Sequence, residues 1–130
     1  MPSLHEILSV RETYGAWTPS DQSGAGLAFA IALGRWVRHK NLVTALVTIQ
    51  WPVTANGANT LVGGLPFTTT NTDPVGGGYV VETGSGLAFT LLCVNNATTF
   101  RLEDNTGTRI TNAQMSNTYF RGVIIYRTTP

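Results

Sequence analysis

The sequence predicts an all-β domain, an antiparallel β-sandwich or jelly roll preceded by a short helical or extended N-terminal arm. Three observations carry this. From Tyr14 onward apolar residues recur with period two rather than 3.6. Clusters of Gly, Asn, Asp and Pro interrupt those runs at short intervals. Beyond the first dozen residues no stretch of helical period is long enough for an α/β crossover. The 130 residues fit one domain and suffice for a buried core. The expected division is an arm over residues 1–13 and a β-domain over 14–130.

In the arm, Leu4, Ile7 and Leu8 repeat at i, i+3, i+4, and Ser3 with Glu6 forms a possible capping box. A helix this short is not stable alone, so Leu4, Ile7 and Leu8 are expected to touch a neighbouring subunit or particle. Leu27, Phe29, Ile31 and Leu33 then alternate with Ala28, Ala30 and Ala32. One strand with a large and an Ala face is expected, the Ala face lying against a close subunit neighbour. Trp36 to His39 leads through Lys40-Asn41 into Leu42–Trp51, which reads as a hairpin. There Val43, Ala45, Val47, Ile49 and Trp51 share one side, and Leu42 and Leu46 the other.

Pro52 ends that strand because it cannot donate to a ladder. Residues 54–59 read as a turn. A long polar loop is expected over 68–78, ending in Gly76-Gly77-Gly78. Short strands follow at Tyr79–Glu82, Leu87–Val94, Thr98–Glu103 and Tyr119–Arg127. Phe120, Ile124 and Tyr126 face one way in the last, and Val123 and Ile125 the other.

Charged residues are 12% of the chain and the net charge is +1. A surface of Thr, Asn, Ser and Gly suits a long-lived assembly or a hydroxyl-rich ligand. The one short cationic cluster, Arg35, Arg38 and Lys40, reads as a solvated hairpin end rather than a nucleic-acid footprint. The lone Cys93 lies in an apolar run, so neither an intrachain disulfide nor a multi-Cys metal site is available. A buried thiol is expected there. No apolar run reaches the ~18 residues of a membrane helix. Residues 1–12 lack the basic and apolar regions of a secretion signal.

No catalytic, metal or cofactor set is expected. His5 and His39 have no ligand-spaced neighbours. Ser85 lies between glycines in a loop pattern, without a nucleophile elbow. Asp21, Asp73, Glu82, Glu103 and Asp104 are dispersed. A carboxylate pair across strands stays open, since sequence gives no distances.

Four short segments, in order, carry a resemblance: Gly15-Ala16-Trp17-Thr18-Pro19; Gly34-Arg35-Trp36-Val37-Arg38 with Lys40-Asn41-Leu42-Val43; Ile49-Gln50-Trp51-Pro52; and Gly63-Gly64-Leu65-Pro66-Phe67. Together they resemble a small domain of bacteriophage tail fibres, tailspikes and related virion proteins. Trp36 stands where that pattern has Tyr, and Arg38-His39-Lys40 precedes Asn41. The resemblance implies a homotrimeric β-sandwich on a virion, assembled in the host cytoplasm beside other capsid or tail proteins. It implies no catalytic set, with Trp17, Pro19, Trp36, Trp51, Gly63, Gly64, Leu65 and Phe67 as fold-defining positions. Two roles fit: capsid decoration (cement), or a tail-fibre tip for trimerisation and receptor binding. A third expectation, a carbohydrate-binding module, rests on aromatics such as Trp36, Trp51, Tyr79 and Tyr119 as stacking faces for a host glycan.

Overall fold

The computed structural model describes residues 12–129. The arm positions Leu4, His5, Ile7 and Leu8 lie outside them. The described chain is all-β apart from one 3-10 turn, Ala113–Met115. Its strands are β1 (Glu12–Trp17), β2 (Ser20–Asp21), β3 (Ile31–His39), β4 (Leu42–Gln50), β5 (Val62–Gly63), β6 (Gly76–Thr83), β7 (Thr90–Cys93), β8 (Phe100–Glu103) and β9 (Tyr119–Arg127).

All nine join one sheet in the order β1-β3-β4-β9-β6-β7-β8-β5-β2, with every pairing antiparallel. The two edge strands are consecutive in the chain, joined only by Thr18-Pro19. Trp17 and Ser20 are therefore at most about 11 Å apart at Cα. A flat sheet of nine strands would be roughly 38 Å wide, so this one must curl until its edges nearly meet. Trp17 of β1 reaches Phe100 of β8 edge-on, with ring centroids 6.4 Å apart. Arg38 of β3 lies 4.5 Å over the Phe67 ring, and Tyr126 of β9 holds the Phe67 backbone N–H and C=O through its hydroxyl.

The concave side holds the core. Val43, Ala45, Val47 and Ile49 of β4 point into it with Phe120, Ile124 and Tyr126 of β9, Leu91 and Cys93 of β7, and Phe100 and Leu102 of β8. The hairpin read from period two is present, turning at Lys40, whose φ is +54°. Trp51 is buried against Phe29 and Phe120. Its indole N–H donates to Asn112 Oδ1, while Asn112 Nδ2 donates to Ser23 Oγ and Asn56 Oδ1. One buried amide thus ties three loops to the core.

Three sequence expectations need correction. Residues 27–30 form no strand. Leu27 and Phe29 pack on the core, but a bend at Ala30 reverses the alternation and turns Ile31 and Leu33 outward. Ala28 and Ala30 therefore share no sheet face with Ala32, which turns inward with Gly34 and Trp36. Gly76-Gly77-Gly78 is not the end of a loop but the first part of β6, which runs eight residues rather than four. A Cβ at Gly78 would collide with the Val123 carbonyl, and one at Gly77 with that of Leu91. Glycine there lets β6 lie tightly between β9 and β7 where the sheet curls. Arg38 is no solvated hairpin end: it packs on Phe67, and its Nε donates to the Lys40 carbonyl at 2.6 Å.

Candidate binding surface

Five of the nine strands, β1-β3-β4-β9-β6, turn their convex side to solvent. Cross-strand register defines rows over that face. One runs Ala16–Arg35–Leu46–Val123–Tyr79. A second runs Tyr14–Val37–Thr44–Ile125–Gly77, and a third Leu33–Thr48–Arg121–Glu82. Apolar side chains dominate and are uncovered: Tyr14 is 84% exposed, and Leu46, on a strand paired on both sides, is 51% exposed. At β6 the register slips between Val80 and Glu82, so Val81 and Glu82 both face outward. This bulge adds an exposed valine beside the third row.

The centre of the face is hollow. A shallow groove of about 560 Å³ is bordered by Leu33, Arg35, Leu46, Arg121 and Val123. Gly34 and Gly122 contribute only backbone to its floor, since a Cβ at either would point inward, onto Trp17 and Leu91 respectively. At one flank Arg121 Nη1 pairs with Glu82 Oε2 at 2.6 Å, and the Tyr119 hydroxyl donates to Glu82 Oε1 at 2.8 Å. The Tyr119 hydrogen bond, then Arg121, holds the Glu82 carboxyl below its usual range. The Tyr119 phenol is raised, first by that same bond.

Asp21, Asp104 and Glu103 are committed locally. Asp21 accepts backbone N–H groups of Ser23 and Leu27 and pins that loop. Its burial pushes the carboxyl up, but the bonds from Ser23, Leu27 and Gly26 outweigh this and leave it lowered. Asp104 accepts from Thr106 and Thr108 and shapes its turn. Glu103 pairs with Arg101 at 2.8 Å. Asp73 is exposed beside a cis bond to Pro74. Ser85 Oγ bonds Thr83 and accepts from Leu87 N–H, so it builds a turn. Burial drives the Cys93 thiol up to about 12, which leaves it protonated and unreactive at neutral pH. Among the described residues no three His, Cys, Asp or Glu side chains group as metal ligands. No helix among them is long and apolar enough to cross a membrane. His39 ends β3 in register with Glu12 and Leu42.

The motif residues come together in a way spacing alone does not reveal. Trp17 is opposite Gly34 and Trp36 opposite Gly15 in the β1–β3 pair, and each indole lies over the facing glycine. Trp36 meets Phe67 edge-on, with centroids 4.9 Å apart. Gly64, at φ +95°, brings its backbone against the Thr18 carbonyl, where a Cβ would collide. Gly63 pairs with Ser20, Pro19 is buried, and Leu65 is 4% exposed. Three of the four motifs thus close the curled sheet where its edges meet, while Trp51 anchors the core elsewhere. Tyr79 and Tyr119 both face outward but sit four residues apart in β9 register, about 13 Å. Arg35 faces outward and Arg38 inward, so these cations form no single patch. The outward apolar face takes in Leu42, Leu46, Val123 and Ile125, which the sequence pattern already sets on the side opposite the core, and adds Tyr14, Leu33 and Val81.

Comparison with protein-family models, with curated proteins and with solved structures gives no match.

Proposed function

We propose that this chain is a non-enzymatic structural module that works by self-assembly, as a homotrimer on the surface of a bacteriophage particle. The observation that carries the assembly is the uncovered convex face of the five-stranded half-sheet. An apolar face of this extent is the mark of an interaction site rather than of a free monomer surface. The committed carboxylates and the buried thiol support a structural over a catalytic role. The curled sheet, with its two halves packed on one core, is compatible with a sandwich architecture.

The phage setting rests on the four ordered motifs. Three of them converge on the closure of the sheet and the fourth anchors the core through Trp51, a structural reason that a family of homologous folds would share. Capsid decoration is the favoured role. A tail-fibre tip is the second reading, favoured by Tyr79 and by the Tyr119–Glu82–Arg121 cluster, an aromatic and polar surface that could hold a host glycan. Gold-labelled antibody against this chain, applied to intact particles and to tailless shells, separates these. Many copies on the shell support decoration; label at the tail alone assigns the second role; no label on any particle removes the virion reading.

A further inference from the structure

We infer that the groove on the convex face takes residues 4–8 of a neighbouring copy, with the neighbour's Leu4 and Leu8 on its apolar floor and Glu6 against Arg35. This rests on the assembly reading above and names the segment that makes the contact.

The groove, about 560 Å³, is of the size that holds a few side chains, within the roughly 300–1,000 Å³ of small-molecule sites. Leu33, Leu46 and Val123 make it apolar, and two guanidinium groups border it. Arg121 is spent on Glu82. Arg35 is exposed, and among the described residues no carboxylate pairs with it. Such a groove is matched by an apolar segment that carries one carboxylate.

The chain has seven carboxylates. Asp21 and Asp104 are held in their own loops, Glu103 by Arg101 and Glu82 by Arg121. Of the other three, Asp73 stands in a polar loop and Glu12 between Arg11 and Thr13, while Glu6 is set among Leu4, Ile7 and Leu8. Residues 1–10 carry no other Asp, Glu, Lys or Arg. In an extended chain Leu4, Glu6 and Leu8 share one side, two apolar groups about a carboxylate.

The start of β1 says whose segment this is. Glu12 is opposite His39, at the turn end of the β3–β4 hairpin, whereas Arg35 is opposite Ala16. That is four residues further along β1, about 13 Å. The strand therefore points residues 1–11 past the hairpin turn, away from the groove of the same copy. Filling that groove would need a reversal within a few residues. Val10-Arg11-Glu12-Thr13 holds none of the Gly, Pro, Asn, Asp or Ser that build tight reversals. Without one, the chain from Glu12 back to Glu6 reaches up to about 20 Å beyond the hairpin end, out to an adjoining copy. One segment in one groove is a head-to-tail contact, which can close into a ring, and a trimer closes it with every groove filled.

The test uses the full chain. Leu8→Cys and Leu46→Cys are combined in one chain, and buried Cys93, 6% exposed, serves as a silent background. Mild oxidation of the assembled protein is expected to give a disulfide-linked three-chain band on a non-reducing gel. Leu8→Cys with Asn105→Cys, at the exposed Asp104–Gly107 turn, is expected to give none. Arg35→Glu and Glu6→Arg are each expected to raise the Kd for assembly at least about tenfold, and the two together to return it to within about threefold of wild type. Circular dichroism is expected to stay that of the folded chain, because Arg35 and Leu46 are exposed in the single copy.

A disulfide formed within single chains overturns the exchange and assigns the groove to the chain's own segment. No disulfide in a protein that light scattering shows to be a trimer overturns the inference and leaves the assembly reading intact, as does a charge-swapped pair that recovers nothing. A wild-type mass that stays at 13.9 kDa at every concentration removes both readings.

Discussion

Trp17 lies flat over Gly34 across the β1–β3 pair, so closely that a Cβ at position 34 would sit inside the indole. Trp17 is buried, and its N–H donates to the Arg35 carbonyl at 3.1 Å. The pair joins an edge strand to the long hairpin at the point where the chain leaves for the opposite edge. Gly34→Ala is expected to destabilise by about 1–3 kcal/mol through overpacking, and Trp17→Ala by about 3–5 kcal/mol. Urea unfolding of the single and double variants measures both. Gly34→Ala should cost much less in the Trp17→Leu background, where the indole is gone; equal costs would contradict the contact.

Asn112 is 1% exposed and spends its amide on Trp51, Ser23 and Asn56. Asn112→Ala strands a buried indole N–H, and removing one partner of such a bond costs about 1–3 kcal/mol. Chemical denaturation checks this. A loss under 0.5 kcal/mol, on the order of a typical surface substitution, would show that the three loops do not depend on the amide.

Alkaline pH should weaken the fold. Burial raises the Cys93 thiol from 9.0 to about 12. Burial first, opposed by the Phe67 backbone bond, raises the Tyr126 phenol from 10.0 to about 12. Both groups are held neutral in the folded chain, so their contribution is complete below the unfolded values and is lost between pH 9 and about 12. The Tm measured across pH 8–12 should fall over that window. Cys93→Val should make the fall shallower, and an unchanged profile in that variant would exclude the thiol as a cause.

The glycines of β6 make a paired prediction. Gly78→Ala forces a Cβ onto the Val123 carbonyl and should destabilise by at least about 1–3 kcal/mol. Gly57→Ala meets nothing within 4 Å and its φ is not left-handed, so the change should be neutral or stabilise by up to about 1 kcal/mol. Thermal melts of the two variants rank them directly.

These positions also show how far the fold could be read from residues. β4, β8 and β9 were legible because alternating apolar and polar side chains report which face is buried: Val43–Ile49, Phe100–Leu102 and Phe120–Tyr126 all point inward as period two requires. β6 was not, because Gly76–Gly78 have no side chains to alternate and are read as loop; their role, close backbone approach, exists only in the assembled sheet. The reversal at Ala30 escaped because the Leu-Ala-Phe-Ala-Ile-Ala-Leu pattern is continuous through the bend, and only the hydrogen bond from Ala30 N–H to the Gln50 carbonyl sets where pairing begins. The two Gly-x-Trp segments were visible as motifs, but their mutual cover depends on strand register. The convex face was half legible: the outward apolar residues of β4 and β9 were read, while Tyr14, Leu33 and Val81 join them only through sheet order and the β6 bulge.

The central claim, that this chain works as a self-assembling module, is tested most directly by the mass of the wild-type protein in solution. Light scattering over a concentration series is expected to give three times the 13.9 kDa chain mass at high concentration. A mass of 13.9 kDa that holds across the whole series would contradict it.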